Sequence, residues 1–239
     1  MRDRIKSFLK NYGTGLIAVF VTWGAFFTAL WPKILFRTAQ GVSVSGAQSV
    51  WGDWAAHLAY ANVFALRNIT DWFTTHPLYA GFPFGYPFAA DAISGLLMRV
   101  GMSRIESMIL PSIITTFFLL AAIFIFYANE LKTPWRAFAA TTLFLAGGGL
   151  GFVIFFSDLA KNFSMETLLF PPREYTRMLE KGVEWLNILP GEFLPQRPFL
   201  LGLPVALFVL IKLILWARRG FQNVSYAKII LLGFASGSL

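Results

Sequence analysis

Four stretches of this chain are long and apolar enough to cross a lipid bilayer, and no other feature limits the possible folds as strongly. They cover about 13–36, 107–127, 137–157 and 198–217. A hydrocarbon core of ~30 Å is crossed by about 20 apolar residues as a helix. Without water in that core, backbone N–H and C=O groups must be satisfied inside the segment, which selects helices over irregular chain. The expected fold class is therefore all-α: a polytopic helical membrane protein. Charged residues make up 13% of the chain, about half the usual share in soluble domains.

The spans differ in detail. The first is uncharged except for Lys33, and Trp31, Pro32 and Lys33 read as an interfacial anchor. The third carries Gly147, Gly148, Gly149 and Gly151, small residues that allow close helix packing and reduce stiffness. Lys212 lies near one end of the fourth, where its stem can snorkel. A fifth apolar segment, 229–239, has about half the length needed to cross. Residues 1–239 thus read as a single membrane domain, expected to be the N-terminal part of a longer protein.

The formal charge of +8 acquires a meaning once it is located. With a cytoplasmic N-terminus, the short inner segments hold Arg2, Arg4, Lys6, Lys10, Lys132, Arg136, Arg218, Arg219 and Lys228, against only Asp3 and Glu130. The long outer loops, 37–106 and 158–197, dilute their basic residues and carry the remaining acids. By the positive-inside rule the chain is a multi-pass protein of the cytoplasmic membrane with both long loops extracytoplasmic. The basic excess then points to anionic membrane lipid as a partner rather than nucleic acid. The absence of cysteine excludes disulfides and thiolate chemistry.

The first outer loop holds most of the chemistry-bearing side chains: Asp53, His57, Tyr60, His76 and Asp91. Ser49 can cap a helix running to about Arg67. In it Trp51, Trp54, Ala55, Leu58, Ala61 and Ala65 form an apolar stripe, expected to lie on the membrane surface with its tryptophans toward the headgroups. Asp53, His57, Tyr60 and Phe64 share a neighbouring face. His57, one turn from Asp53, can hydrogen-bond to it. A carboxylate with an imidazole supplies a general base and its orienting partner, or two ligands for a divalent ion. Each also has a plain reading: Asp53 as a first-turn dipole partner and His57 as a satisfied structural histidine. The run HPLYAGFPFGYPF (76–88) breaks any helix and leaves a stiff aromatic loop, fit to wall a sugar pocket or to lie in the interface. Asp91 then opens a helix that ends at Gly101.

A basic start, one span and a long outer loop with an early helical Asp resemble the GT-C superfamily of membrane glycosyltransferases. WGDWAAHL (51–58), HPLYAGFPFGYPFAADAISGLL (76–97) and EYTRMLEKGVEWLNILPGEFLPQRPFLLGLPVAL (174–207) carry the likeness, which extends over most of the chain. The resemblance implies sugar transfer from a polyprenyl-phosphate donor on the outer face, with inversion at the anomeric carbon. It makes Asp53 the catalytic base or, if a divalent metal such as Mg or Mn is used, its ligand. His57 would orient Asp53 or bind donor, and Asp91, Tyr60 and His76 would support the site. The paired acidic residues of the protein mannosyltransferase branch are absent here, which leaves sugar and acceptor open.

In the second outer loop, Pro171 and Pro172 are expected to start an amphipathic helix reaching about Ile188. Gln196 and Arg197 follow, just before the fourth span. Arg197 there either anchors the helix end or clamps a lipid-linked phosphate in a bidentate grip. Two other classes compete with transfer: a transporter or lipid flippase, and a non-enzymatic membrane assembly protein. A transporter should place ionisable groups at mid-membrane depth, and spans two and three have none in their interiors.

Overall fold

The computed structural model describes residues 2–46, 50–169, 172–173, 175–185, 187–222 and 224–237. The chain is mostly helical. Three helices are long and apolar enough to cross a membrane, Ile5–Ile34, Arg104–Leu131 and Arg197–Ala217. A fourth candidate is a bent pair, Pro134–Ala146 with Gly151–Lys161.

The first span combines α1 (Arg2–Val19), a π-helical turn (Phe20–Gly24) and α2 (Ala25–Ile34). Thr22 donates its hydroxyl back to Ala18 O at 2.7 Å within the turn, a back-bond that loosens helical pitch. The anchor Trp31 is wholly buried and donates from Nε1 to Thr116 Oγ1 at 3.0 Å. It therefore ties the first span to the second and does not sit at an interface. Residues 37–48, small and polar, read as extended or loose chain; in their described part Ser43–Ser45 (β2) pairs with Leu35–Arg37 (β1) as a short hairpin.

The second span, α5 (Arg104–Leu131), starts with a reciprocal capping box between Ser103 and Glu106. It ends on Lys132, whose backbone is left-handed at φ 60°. The helix α9 (Arg197–Ala217) runs parallel to it: Arg197 meets Met108 near the start of α5, and Arg218 pairs with Glu130 near its end at 2.6 Å. Parallel neighbours require the intervening chain to return to the first end. It does so through α6 (Pro134–Ala146) and α7 (Gly151–Lys161), which meet at 80°. The 13 residues of α6 reach only ~20 Å, short of a ~30 Å core. The straight third span expected over 137–157 is thus broken. Gly147, Gly148 and Gly149 leave the helix there, and Asn187 Nδ2 donates to the freed carbonyls of Leu145 and Gly147 at 3.1 and 2.8 Å.

The helix expected over 172–188 is also corrected. Among the described residues of that stretch the chain makes a tiny hairpin, β3 (Arg177–Met178) with β4 (Val183–Glu184), closed by a 3₁₀ turn and Gly182 at φ +65°. The sequence offered a helix little support: Arg173–Arg177, Arg177–Lys181 and Glu180–Glu184 are like-charged at i,i+4. The hairpin gives Met178 a buried position instead. Pro171 lies outside the described residues, as does the proposed cap Ser49. The remaining helices are α8 (Met165–Leu169) and α10 (Tyr226–Gly237), the latter covering the fifth apolar segment.

Two helices of the first long loop complete the site's scaffold: α3 (Trp51–Leu66) and α4 (Ala89–Arg99). A Schellman motif ends α4, with Gly101 at φ +95° and Met102 N donating to Leu97 O. The two helices touch where Gly95 lies against Ala61. A Cβ at residue 95 would sit 2.4 Å from Ala61 O and 2.6 Å from Phe64 Cβ. Gly95→Ala is therefore expected to force the pair apart and remove about 1–3 kcal/mol of stability. A detergent-solubilised unfolding midpoint equal to wild type would contradict this close approach.

The surface orientation expected for α3 does not hold. Trp54, Tyr60, Ala61, Val63 and Phe64 are buried, and Ala55, on the expected apolar stripe, is exposed. The helix is packed inside the protein because both α4 and the spans cover it.

Candidate functional site

The centre of the first loop is a buried chain of polar groups that joins three helices. Asp91, Arg197 and His57 are 0–2% exposed. Asp91 Oδ1 accepts from Arg197 Nη1 at 2.7 Å, and Asp91 Oδ2 lies 2.9 Å from His57 Nδ1. A carboxylate paired with a guanidinium can only accept, so His57 Nδ1 carries the proton and donates it.

The rest of Arg197 is engaged too. Nη2 donates to Ser94 Oγ at 2.6 Å and to Met108 O at 3.3 Å, and Nε reaches Ser112 Oγ at 3.4 Å. Its guanidinium lies 5.7 Å from the centre of the Trp54 ring. Trp54 itself donates from Nε1 to Leu194 O at 2.7 Å and packs on Trp31. An arginine can be buried only where its charge and its donors are matched. Here α4 supplies the carboxylate and one hydroxyl, α5 supplies a carbonyl and a second hydroxyl, and α3 supplies the aromatic face.

Three sequence expectations change. His57 is partnered by Asp91 and not by Asp53. Arg197, read as a possible surface phosphate clamp, is enclosed with its donors already engaged. Asp91, read as a supporting acid at the start of its helix, is the counter-charge of the buried arginine. Ser94, Ser112, Met108 and Trp54 were missed. A signal was present in part: Ser94 follows Asp91 by three residues, one helical face, and Ser112 is a hydroxyl within an apolar span.

Asp53 stands apart. It occupies the first turn of α3, is partly exposed, and forms no hydrogen bond or ion pair among the described residues. Beside it is an aromatic wall. Tyr86 packs 4.7 Å from Tyr60 and 5.8 Å from the His57 ring, and Tyr60 is 5.4 Å from His76. Tyr86 donates its hydroxyl to Gln196 Oε1 at 3.1 Å, so Gln196 is brought to the site from the chain just ahead of α9. His76 Nδ1 accepts from Leu78 N at 3.1 Å, which stiffens the Pro- and Gly-rich loop.

Burial, with smaller contributions from the charges of Asp91, Tyr60 and Asp53, pushes the Tyr86 phenol up to about 12. The unfolded chain would release this proton near its ordinary value of 10.0. The folded state therefore holds the proton more tightly, and its stability is intact below that value and falls as pH rises toward about 12. Tyr86→Phe should shrink the alkaline loss. Unfolding midpoints near pH 9 and near pH 11 check this, and an unchanged difference between them would contradict it.

No family model, curated protein or solved structure matches this chain. Among the described residues, no group of three or more His, Asp or Glu side chains could hold a metal ion. Asp53 has no companion ligand among these residues, and Asp91 has both oxygens occupied, so the described donor set does not fit a divalent cation.

Proposed function

We propose that this chain is a membrane glycosyltransferase component that moves a sugar from a polyprenyl-phosphate-linked donor to an acceptor hydroxyl on the extracytoplasmic face. The observation that carries the proposal is Asp53: a partly exposed carboxylate with no side-chain partner among the described residues, near enough to Tyr86 for its charge to act on that phenol, at the loop end of apolar spans. An unpaired carboxylate is a poor structural element and a suitable general base. The half-buried ring of Tyr86, backed by the buried Tyr60, can stack on the apolar side of a sugar ring, and Gln196 can hydrogen-bond to its hydroxyls. The likeness of WGDWAAHL to the GT-C pattern supports the same residue.

In this mechanism Asp53 takes the proton of the acceptor hydroxyl while that oxygen attacks the anomeric carbon. The bond from the anomeric carbon to the phosphate oxygen breaks, and its electron pair leaves with the polyprenyl phosphate. Attack opposite the leaving phosphate inverts the anomeric centre. No step is routed through a metal. Asp91, Arg197 and His57 serve as positioning residues, because their buried network holds the α3 backbone on which Asp53 sits. The network lies at the span ends: Ser112 is only eight residues into α5 from Arg104, about 12 Å. That depth does not suit the mid-membrane relay of a transporter.

The test is turnover of radiolabelled polyprenyl-phosphoryl sugars in membranes containing the chain, compared with Asp53→Asn. Loss of transfer with intact membrane folding supports the proposal, and equal turnover rejects it.

A further inference from the structure

A second feature lies on the other side of α5 from the buried network. Between the end of the first span and the start of α5 is a cleft of about 910 Å³, within the usual range of small-molecule sites. Its walls are apolar: Pro32 and Leu35 on one side, Ile109, Leu110 and Ile113 on the other. Its rim is polar and carries Arg37 and Arg104. Ile113 is nine residues along α5 from Arg104, so the apolar floor extends about 13 Å below the rim. The polar and apolar ends are thus ordered along the axis of the span, as the head and chain of a membrane lipid are.

The rim's charge is available. Arg104 is exposed and forms no hydrogen bond or ion pair among the described residues. Arg37 donates from Nε to Gly41 O at 2.9 Å, which holds its guanidinium in place without neutralising it. The one carboxylate lining the cleft, Glu106, is engaged by the Ser103 backbone in the capping box. Two guanidiniums and one carboxylate leave a net positive rim above an apolar trough.

We infer that this cleft is a binding site for an anionic, phosphate-bearing membrane lipid, with its phosphate on Arg104 and Arg37 and a hydrocarbon chain along Leu35, Ile109 and Ile113. A guanidinium holds phosphate oxygens through two parallel charged hydrogen bonds, and the trough accepts a chain from the bilayer alongside. The site is independent of the transfer reaction, since it requires neither donor nor Asp53.

The test is native mass spectrometry of the whole chain released from micelles holding equal amounts of phosphatidylglycerol and phosphatidylcholine. One phosphatidylglycerol should be retained, about tenfold in excess over phosphatidylcholine, whose quaternary ammonium offsets the charge of the same phosphate and is repelled by the two guanidiniums. Arg104→Gln, an exposed change that leaves folding contacts intact, should erase most of the preference. Leu110→Trp, at an exposed lining residue, should lower retention of both lipids by filling the trough. Millimolar inorganic phosphate should not displace the lipid, because it lacks the chain. Equal retention of the two lipids by wild type, an unchanged preference in Arg104→Gln, or displacement by phosphate would each overturn the assignment.

Discussion

Asp91→Ala is expected to lower the stability of the folded chain by about 3–5 kcal/mol, the scale for removing one member of a buried ion pair. The reason is what remains behind. Arg197 would stay enclosed beneath Trp54 with its charge unmatched, and His57 Nδ1 would lose its acceptor. Asp91→Asn should be milder, since its carbonyl oxygen can still accept from Arg197 but the charge is gone. A double replacement, Asp91→Leu with Arg197→Met, should recover much of the loss, because two apolar groups need no partners. Unfolding midpoints in detergent for the singles and the double form a cycle that measures the coupling. Purely additive losses would show that the pair is not coupled. Added salt should change little, because screening acts weakly on a buried pair.

Asp53→Asn should behave in the opposite way: stability unchanged, transfer reduced by about 10²–10⁴-fold, the usual contribution of general acid–base catalysis. Asp53 has no side-chain partner to lose among the described residues, and amide replaces carboxylate at nearly the same volume. The contrast between the two aspartates is the sharper experiment. A chain in which Asp91→Asn abolishes transfer at full stability while Asp53→Asn is neutral would move the base to the His57–Asp91 pair and remove the role assigned to Asp53. Both variants are read in the same membranes, so folding and turnover are separated.

Much of the architecture was legible in advance because long apolar runs admit few solutions. The first, second and fourth spans fall where hydropathy places them, and α3 and α4 fall within a residue or two of their expected limits, with Gly101 marking the end of α4. The errors arose where a pattern did not identify its neighbours. Gly147 to Gly149 read as packing residues within a span, yet Asn187, 40 residues later, accommodates the carbonyls that a break exposes. The stripe on α3 read as a membrane-facing surface, and α4 covers that helix instead. The stretch 172–188 read as an amphipathic helix, although Gly182 and the like-charged pairs favoured a turn.

The sequence by itself determined that polar residues are concentrated near the ends of apolar helices, and that Asp53, His57, Asp91 and Arg197 are the ones to examine. Only the tertiary structure decided which of them belong together. On α3, Asp53 and His57 are four residues apart, but an exposed pair of that spacing contributes only a few tenths of a kcal/mol. A guanidinium buried between α3, α4 and α5 requires a carboxylate far more strongly. Asp91 meets that requirement because Gly95 lets α4 approach α3 closely enough to enclose it. His57 joins the buried pair, and Asp53 stays partly exposed, outside that network.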